Sequence, residues 1–185
     1  MYFTKIKYNS IKTQKIHSLV YCSLASHLKQ ERPLFQINHL NNNLHIVSMY
    51  PPDINNMKMF MDIADVEISY YKDYLCSITE GSKFRFTIDA LPTMKMVNEN
   101  RRCFISNPRM QKIWFTKMAN KYGFYFYSLS HSLVNRKGKY NISLRGVTFS
   151  GCLVVTDYIK FTRSLLKGIG HGKAWGFGLL QIECI

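Results

Sequence analysis

Gly168-Ile-Gly-His-Gly-Lys-Ala-Trp-Gly-Phe-Gly178 packs five glycines and one lysine into eleven residues, between a stretch of helical periodicity and the strand-like run Leu179-Leu-Gln-Ile-Glu-Cys-Ile185. That order bears on the fold. A dinucleotide-binding loop precedes a helix, and a Walker loop needs Ser or Thr after its lysine, whereas Lys173 is followed by Ala174. The pattern fits neither nucleotide-binding fold. Glycines at this density let backbone N–H groups converge on a ligand, and Lys173 adds a positive charge, so the expected ligand is a phosphate.

Upstream of the loop, Asp157 caps a predicted helix that runs through Leu166. Phe124 to Leu133 and Tyr140 to Val155 read as strands flanking Asn135-Arg-Lys-Gly-Lys139, a basic hairpin tip. Pro108 to Tyr122 reads as a helix with Ile113, Trp114 and Met118 on one face and Gly123 as its terminator. Lys83 to Ile88 alternates as a strand. In the first half, Tyr2 to Tyr8 is a strand and Gln14 to Leu28 a helix, with Ile16, Leu19, Val20, Ser23, Leu24 and His27 at helical spacing. A hairpin follows, Leu34 to Ile37 with Leu44 to Met49 around Asn41-Asn-Asn43, then a short helix over Asn55 to Ile63 and a strand over Val66 to Tyr71. Each half is close to βαββαβ. The predicted class is α+β, two tandem ferredoxin-like (RRM-like) domains over 1–79 and 83–185, parted at the turn cluster Thr79-Glu-Gly-Ser82.

Charge divides at the same place. The chain holds 25 Lys plus Arg against 11 Asp plus Glu, a net +14. Residues 1–82 carry 8 basic and 7 acidic side chains and residues 83–185 carry 17 and 4, so the excess lies almost wholly in the second half. A one-sided excess of this kind suits a protein that displaces counterions from a polyphosphate, and 14% aromatic residues offer stacking surfaces for bases. A hydrophobic content of 46% is ample for a core. Cys22, Cys76, Cys103, Cys152 and Cys184 are odd in number and widely spaced, which reads as reduced, mostly buried thiols in a cytoplasmic protein. No apolar run approaches the ~18 residues of a membrane span, and Met1 to Tyr8 alternates like a strand rather than a signal segment. Neither secretion nor membrane insertion is expected.

Taken together, the whole chain resembles the CasE family of CRISPR repeat-RNA endoribonucleases, subunits of Cascade surveillance complexes. The carrying motifs are Met1-Tyr-Phe-Thr-Lys5, Ile16-His-Ser-Leu-Val-Tyr-Cys-Ser-Leu24, Phe84-Arg-Phe-Thr-Ile-Asp-Ala-Leu-Pro92, Arg101-Arg102, Trp114-Phe-Thr-Lys117 and Val147-Thr-Phe-Ser-Gly-Cys-Leu-Val-Val155. The glycine segment itself is similar to the family's Gly-Ile-Gly-x-x-Lys-x-x-Gly-x-Gly-Leu-Leu, and it is the most specific of them. Two positions depart from the family pattern: Gln14 stands where many members carry a tyrosine, and Tyr21 replaces a tryptophan and reads as a packing residue.

The resemblance implies metal-independent cleavage of a repeat hairpin by attack of the ribose 2′-OH, leaving a 2′,3′-cyclic phosphate and a 5′-OH, with no cofactor. It makes His17 the general base or acid, a role that an imidazole near its ordinary pKa of ~6.5 suits. Lys173 is the second catalytic candidate and His171 a further helper. An A-form stem is read through phosphates and shape, so the expected RNA-binding set is Arg85, Arg101, Arg102, Arg109, Lys112, Arg136, Lys137, Lys139, Gly168, Gly170, His171 and Gly172. The implied partners are the crRNA hairpin and other Cascade subunits, above all the backbone subunit, with no membrane. Two alternatives stay open: a catalytically weak or inactive hairpin-binding subunit of the same kind of complex, and an RRM-like RNA-binding protein unrelated to CRISPR.

Overall fold

The computed structural model describes residues 1–12, 16–24, 32–39, 41–96, 101–137 and 143–185. In β1 (Tyr2–Ile11) the side chains alternate, Thr4, Ile6 and Tyr8 buried and Lys5, Lys7 and Asn9 outward. This strand pairs antiparallel with β3 (Asn43–Ser48) on one side and β4 (Met61–Tyr70) on the other. Beyond β3 lies β2 (Leu34–Asn38), joined to it by a hairpin in which Asn42 takes the left-handed φ of 52° that asparagine tolerates. One face of this sheet is covered by α1 (Ile16–Ser23) and α2 (Ile54–Lys58), whose Leu19, Val20 and Met57 pack with Ile6, Leu44 and Ile46.

After α3 (Tyr71–Cys76) comes the second sheet, made by β5 (Lys83–Ala90), β8 (Phe124–Lys137), β9 (Ser143–Val155) and β10 (Leu180–Cys184). The two sheets have the orders β2-β3-β1-β4 and β10-β5-β9-β8. Numbered within its own half, each runs fourth, first, third, second with antiparallel pairs, which is the ferredoxin-like arrangement. A small hairpin of β6 (Thr93–Lys95) and β7 (Arg102–Phe104) leads into α4 (Pro108–Lys121), and α5 (Tyr158–Lys167) leads into the glycine segment. Asp157 caps α5 as expected, its carboxylate accepting from the Lys160 amide at 2.9 Å. Among the described residues no helix is long and apolar enough to cross a membrane.

The α4 helix begins where expected, with Pro108 in its first turn and Asn107 accepting from the Arg109 amide at 2.9 Å. Its buried face is different. Gln111, Phe115 and Ala119 point into the core, while Ile113 is 46% exposed and Trp114 and Met118 are half-buried. The Phe115 ring fixes this rotation, stacking on Phe149 at 4.3 Å between centroids. Gln111 tolerates burial because its amide donates to the Ile105 carbonyl at 2.8 Å.

Other expectations are corrected as well. The helix predicted over Asn55 to Ile63 stops at Lys58, because Met61 to Ile63 already pair with Ile11, Ser10 and Tyr8 of β1. Cys22 and Cys184 are exposed and Cys103 and Cys152 half-buried, so the thiols described are not core residues. The basic hairpin is longer than its sequence suggests: β8 continues through Lys137 and β9 starts at Ser143. Arg136 therefore stands in a strand and not at a tip.

The core does not respect the boundary between halves. Leu34, Val47 and Tyr71 join the cluster built on Phe84, Phe86, Phe115, Phe149 and Phe161, and Phe3 packs against it. Alternation explains how: Leu44 and Ile46 of β3 face the helices, so Val47 and His45 face the second half. There Gln181 of β10 donates to His45 Nδ1.

Candidate active site and nucleic-acid interface

His17 lies one residue inside α1, where Leu19 and Val20 turn inward and leave the imidazole at the surface. Its ring stacks on Tyr21, one helical turn along, at 4.1 Å between centroids and 26° between planes. Tyr21, a packing residue on its sequence, packs against the imidazole itself. Burial pushes the His17 pKa below its usual 6.5. The neutral ring is thereby favoured.

Behind His17 stands Phe35 of β2, its ring 6.4 Å away. Phe35 also meets the glycine segment, which closes through a 3-10 turn over Lys173–Trp175. Gly176, at φ 81°, lies so near that a Cβ there would be 3.1 Å from the Phe35 ring. One aromatic side chain is thus a neighbour of both the His17 ring and the loop.

The loop spends part of its backbone on itself. The Gly168 amide donates to Ser164 and ends α5; Ile169 donates to Gly178, Trp175 and Phe177 to Gly172, Gly176 to Lys173, and Gly178 to Asp89. Gly168 is also buried, and a Cβ on it would lie 2.8 Å from Leu34, so its role is to seat the loop on β2. That corrects its expected place on the RNA. Among the described residues no backbone bond of this kind starts from the amides of Gly170 to Ala174, which keeps Gly170, His171 and Gly172 as candidates.

Positive charge gathers there. The Lys173 ammonium donates to the Lys167 carbonyl, and burial, with Lys167 beside it, holds its pKa below the usual lysine value. His171 is lowered first by burial and then by the charges of Arg102, Lys173 and Lys121. Sequence reasoning missed Lys121, and it missed the indole of Trp114, which would meet a Cβ on Gly170 at 3.3 Å. The remaining candidates spread out. Arg101 and Arg102 are exposed beside and within β7, and Arg109 and Lys112 are exposed on the first turns of α4. Arg85 is on the open face of the second sheet, lining a groove of about 350 Å³ with Ser128, Ser150 and Glu183. Its neighbours Phe84 and Phe86 point to the helices, so the structure does not bring Arg85 onto the helix side with Arg109 and Lys112.

Arg136 is the clearest correction. It is 8% exposed, its guanidinium bonded to the Asp89 carboxylate and to the Ile37 carbonyl, so no charge is left at the surface for a phosphate. The Lys137 side chain, all of Lys139 and Gln14 lie outside the described residues.

A family model described as CRISPR associated protein matches residues 1–183. The curated relative CRISPR-associated endoribonuclease Cse3 of Thermus thermophilus is 23% identical over 127 residues, a match that covers 60% of this chain and 60% of the relative. The fold is similar to that of Thermus thermophilus Cse3 bound to an RNA representing a pre-cleavage complex, with a TM-score of 0.82 at 18% identity over 98% of each chain. It is also similar to a chain of a CRISPR RNA-guided surveillance complex, with a TM-score of 0.69 at 24% identity over 100% of each. With the family model running from residue 1 to residue 183, the chain belongs to the family of CRISPR-associated proteins, where its CasE-like motifs place it.

Proposed function

We propose that this protein is an endoribonuclease that binds the hairpin of CRISPR repeat RNA, cleaves it without a metal, and remains on the product as a subunit of a Cascade-type surveillance complex beside its backbone subunit. The observation that carries this reading is the surface-facing imidazole of His17, which has Phe35 as a common neighbour with the glycine loop that carries Lys173 and His171. The names of the relatives, an endoribonuclease and a surveillance complex, support the same reading.

Internal transesterification asks for little more than these groups. His17 takes the proton of the 2′-OH as the 2′ oxygen bonds to phosphorus; the bond from phosphorus to the 5′ oxygen breaks, and that oxygen is protonated. Lys173, with a depressed pKa, supplies that proton or the charge that steadies the phosphorane, and the amides from Gly170 to Ala174 face its oxygens. Arg102, Lys121, Arg109 and Lys112 form the track for the strand. The nucleophile belongs to the substrate, so no metal has to generate it.

Replacing His17 by alanine tests the assignment. The expected result is a loss of about 10²–10⁴-fold in single-turnover cleavage with hairpin affinity nearly unchanged. Wild-type cleavage should persist in EDTA and stop on a repeat with a 2′-deoxy sugar at the scissile position. Full activity of His17→Ala, or an absolute need for Mg²⁺, would overturn the reading.

A further inference from the structure

The buried charges at the junction of the two halves take no part in the reaction just described. Arg136 and Asp89 are 8% and 4% exposed. Arg136 Nη2 donates to Asp89 Oδ2, and Nη1 reaches across the junction to the Ile37 carbonyl of β2 at 2.6 Å. Asp89 is held in turn. Thr148 Oγ1 donates to its second carboxylate oxygen at 2.6 Å, and its backbone carbonyl receives the Gly178 amide at 2.7 Å.

Three parts of the molecule meet in this pair: β2, two residues from Phe35; the β5–β9 pairing; and the last glycine of the loop. Phe35 is the side chain that neighbours both His17 and Gly176. Cohesion alone does not call for a buried ion pair, since apolar side chains of the same volume hold a junction at least as well. A guanidinium adds direction, because its planar fork fixes the distance and angle of both acceptors. A reacting group displaced by ~1 Å can lose ~10²-fold in rate.

We propose that Arg136 and Asp89 are positioning residues that set the separation between the His17 helix, backed by Phe35, and the glycine loop, and that Arg136 makes no contact with RNA. The kinetic consequence rests on the nuclease reading; the structural one does not. Arg136→Met, Arg136→Lys, Asp89→Asn and Thr148→Val are compared by hydrogen–deuterium exchange, by single-turnover cleavage at saturating hairpin RNA, and by hairpin affinity over a range of salt.

Arg136→Met and Asp89→Asn are expected to speed exchange in residues 34–38 and 168–178 but not in β1. They should slow cleavage about ten- to a hundredfold with affinity and salt slope unchanged. Arg136→Lys, which keeps the charge, should recover part of the rate, and the double variant should be no slower than either single one, because the two act as a unit. A normal saturating rate, together with weaker binding and a salt slope flatter by about one unit, would make Arg136 a phosphate contact and end the proposal. Unchanged exchange in both segments would also end it, whatever the cleavage data say. A wild type that cleaves no repeat RNA would remove the nuclease reading and leave exchange to decide the clamp. Where Arg136→Met does not fold, Arg136→Lys and Thr148→Val carry the same comparison.

Discussion

His17 and Tyr21 lie face to face because four residues make one turn of α1, so the helix itself orients the imidazole. Burial sets its charge, lowering the pKa from 6.5. A base must be neutral to act, so the rate should hold as pH falls through 6.5 and decline only beneath it. Single-turnover rates measured across that range check this, and an acidic limb at or above 6.5 would contradict it. His17 was legible in the sequence through the motif around it. Arg136 was not, since Asn135-Arg-Lys-Gly-Lys139 reads as a solvated tip and the partner that draws the guanidinium inward, Asp89, is 47 residues away.

The glycine segment works as an element because both of its ends are tied. Gly178 sits at φ 89°, its amide on Asp89 and its carbonyl on Ile169, and a Cβ there would lie 2.6 Å from the Ile169 oxygen. Left-handed backbone alone costs an ordinary residue ~1–2 kcal/mol, which is about 2–8 °C in Tm for a chain of this size. Gly178→Ala should therefore melt lower by at least that much and lose cleavage; an unchanged Tm and rate would show the loop to be slack. The charges beside the loop make a separate prediction. Replacing Arg102 and Lys121 together by alanine should flatten the dependence of log K on log salt by about two units, at ~0.9 per phosphate of duplex nucleic acid. A slope like that of the wild type would take them off the RNA track. Elements were legible where apolar residues alternate cleanly, as in β1, and where a helix start is marked, as at Pro108 and Asp157. The face of α4 was not, because a polar side chain, Gln111, occupies a core position and hides the stripe.

Across the whole molecule, acid is the expected weakness. His39 and His45 are both lowered by burial first, with Arg136 next for His39 and Lys5 next for His45. The unfolded chain binds protons at about 6.5 and the folded chain below that, so acidification favours unfolding. This stabilisation is complete above pH 6.5 and is lost as pH falls through the lower folded values. Denaturant midpoints should hold from pH 8 to about 7 and drop beneath 6.5, and a midpoint that rises on acidification would contradict the sign. The twofold βαββαβ order could be read from periodicity, whereas the meeting of the halves could not, since Leu34, Val47 and Tyr71 look locally like any other inward residues. Their position in the second half's interior means that the first half finishes the second, while the first half's own helix-side core is closed by its own residues. A gene fragment encoding the second half alone specifies a protein with a hole where its neighbour's side chains belong, and one encoding the first alone bares Leu34, Val47 and Tyr71 to water. Recombination between relatives that breaks the chain between the halves then has to keep those three side chains matched to the interior they fill.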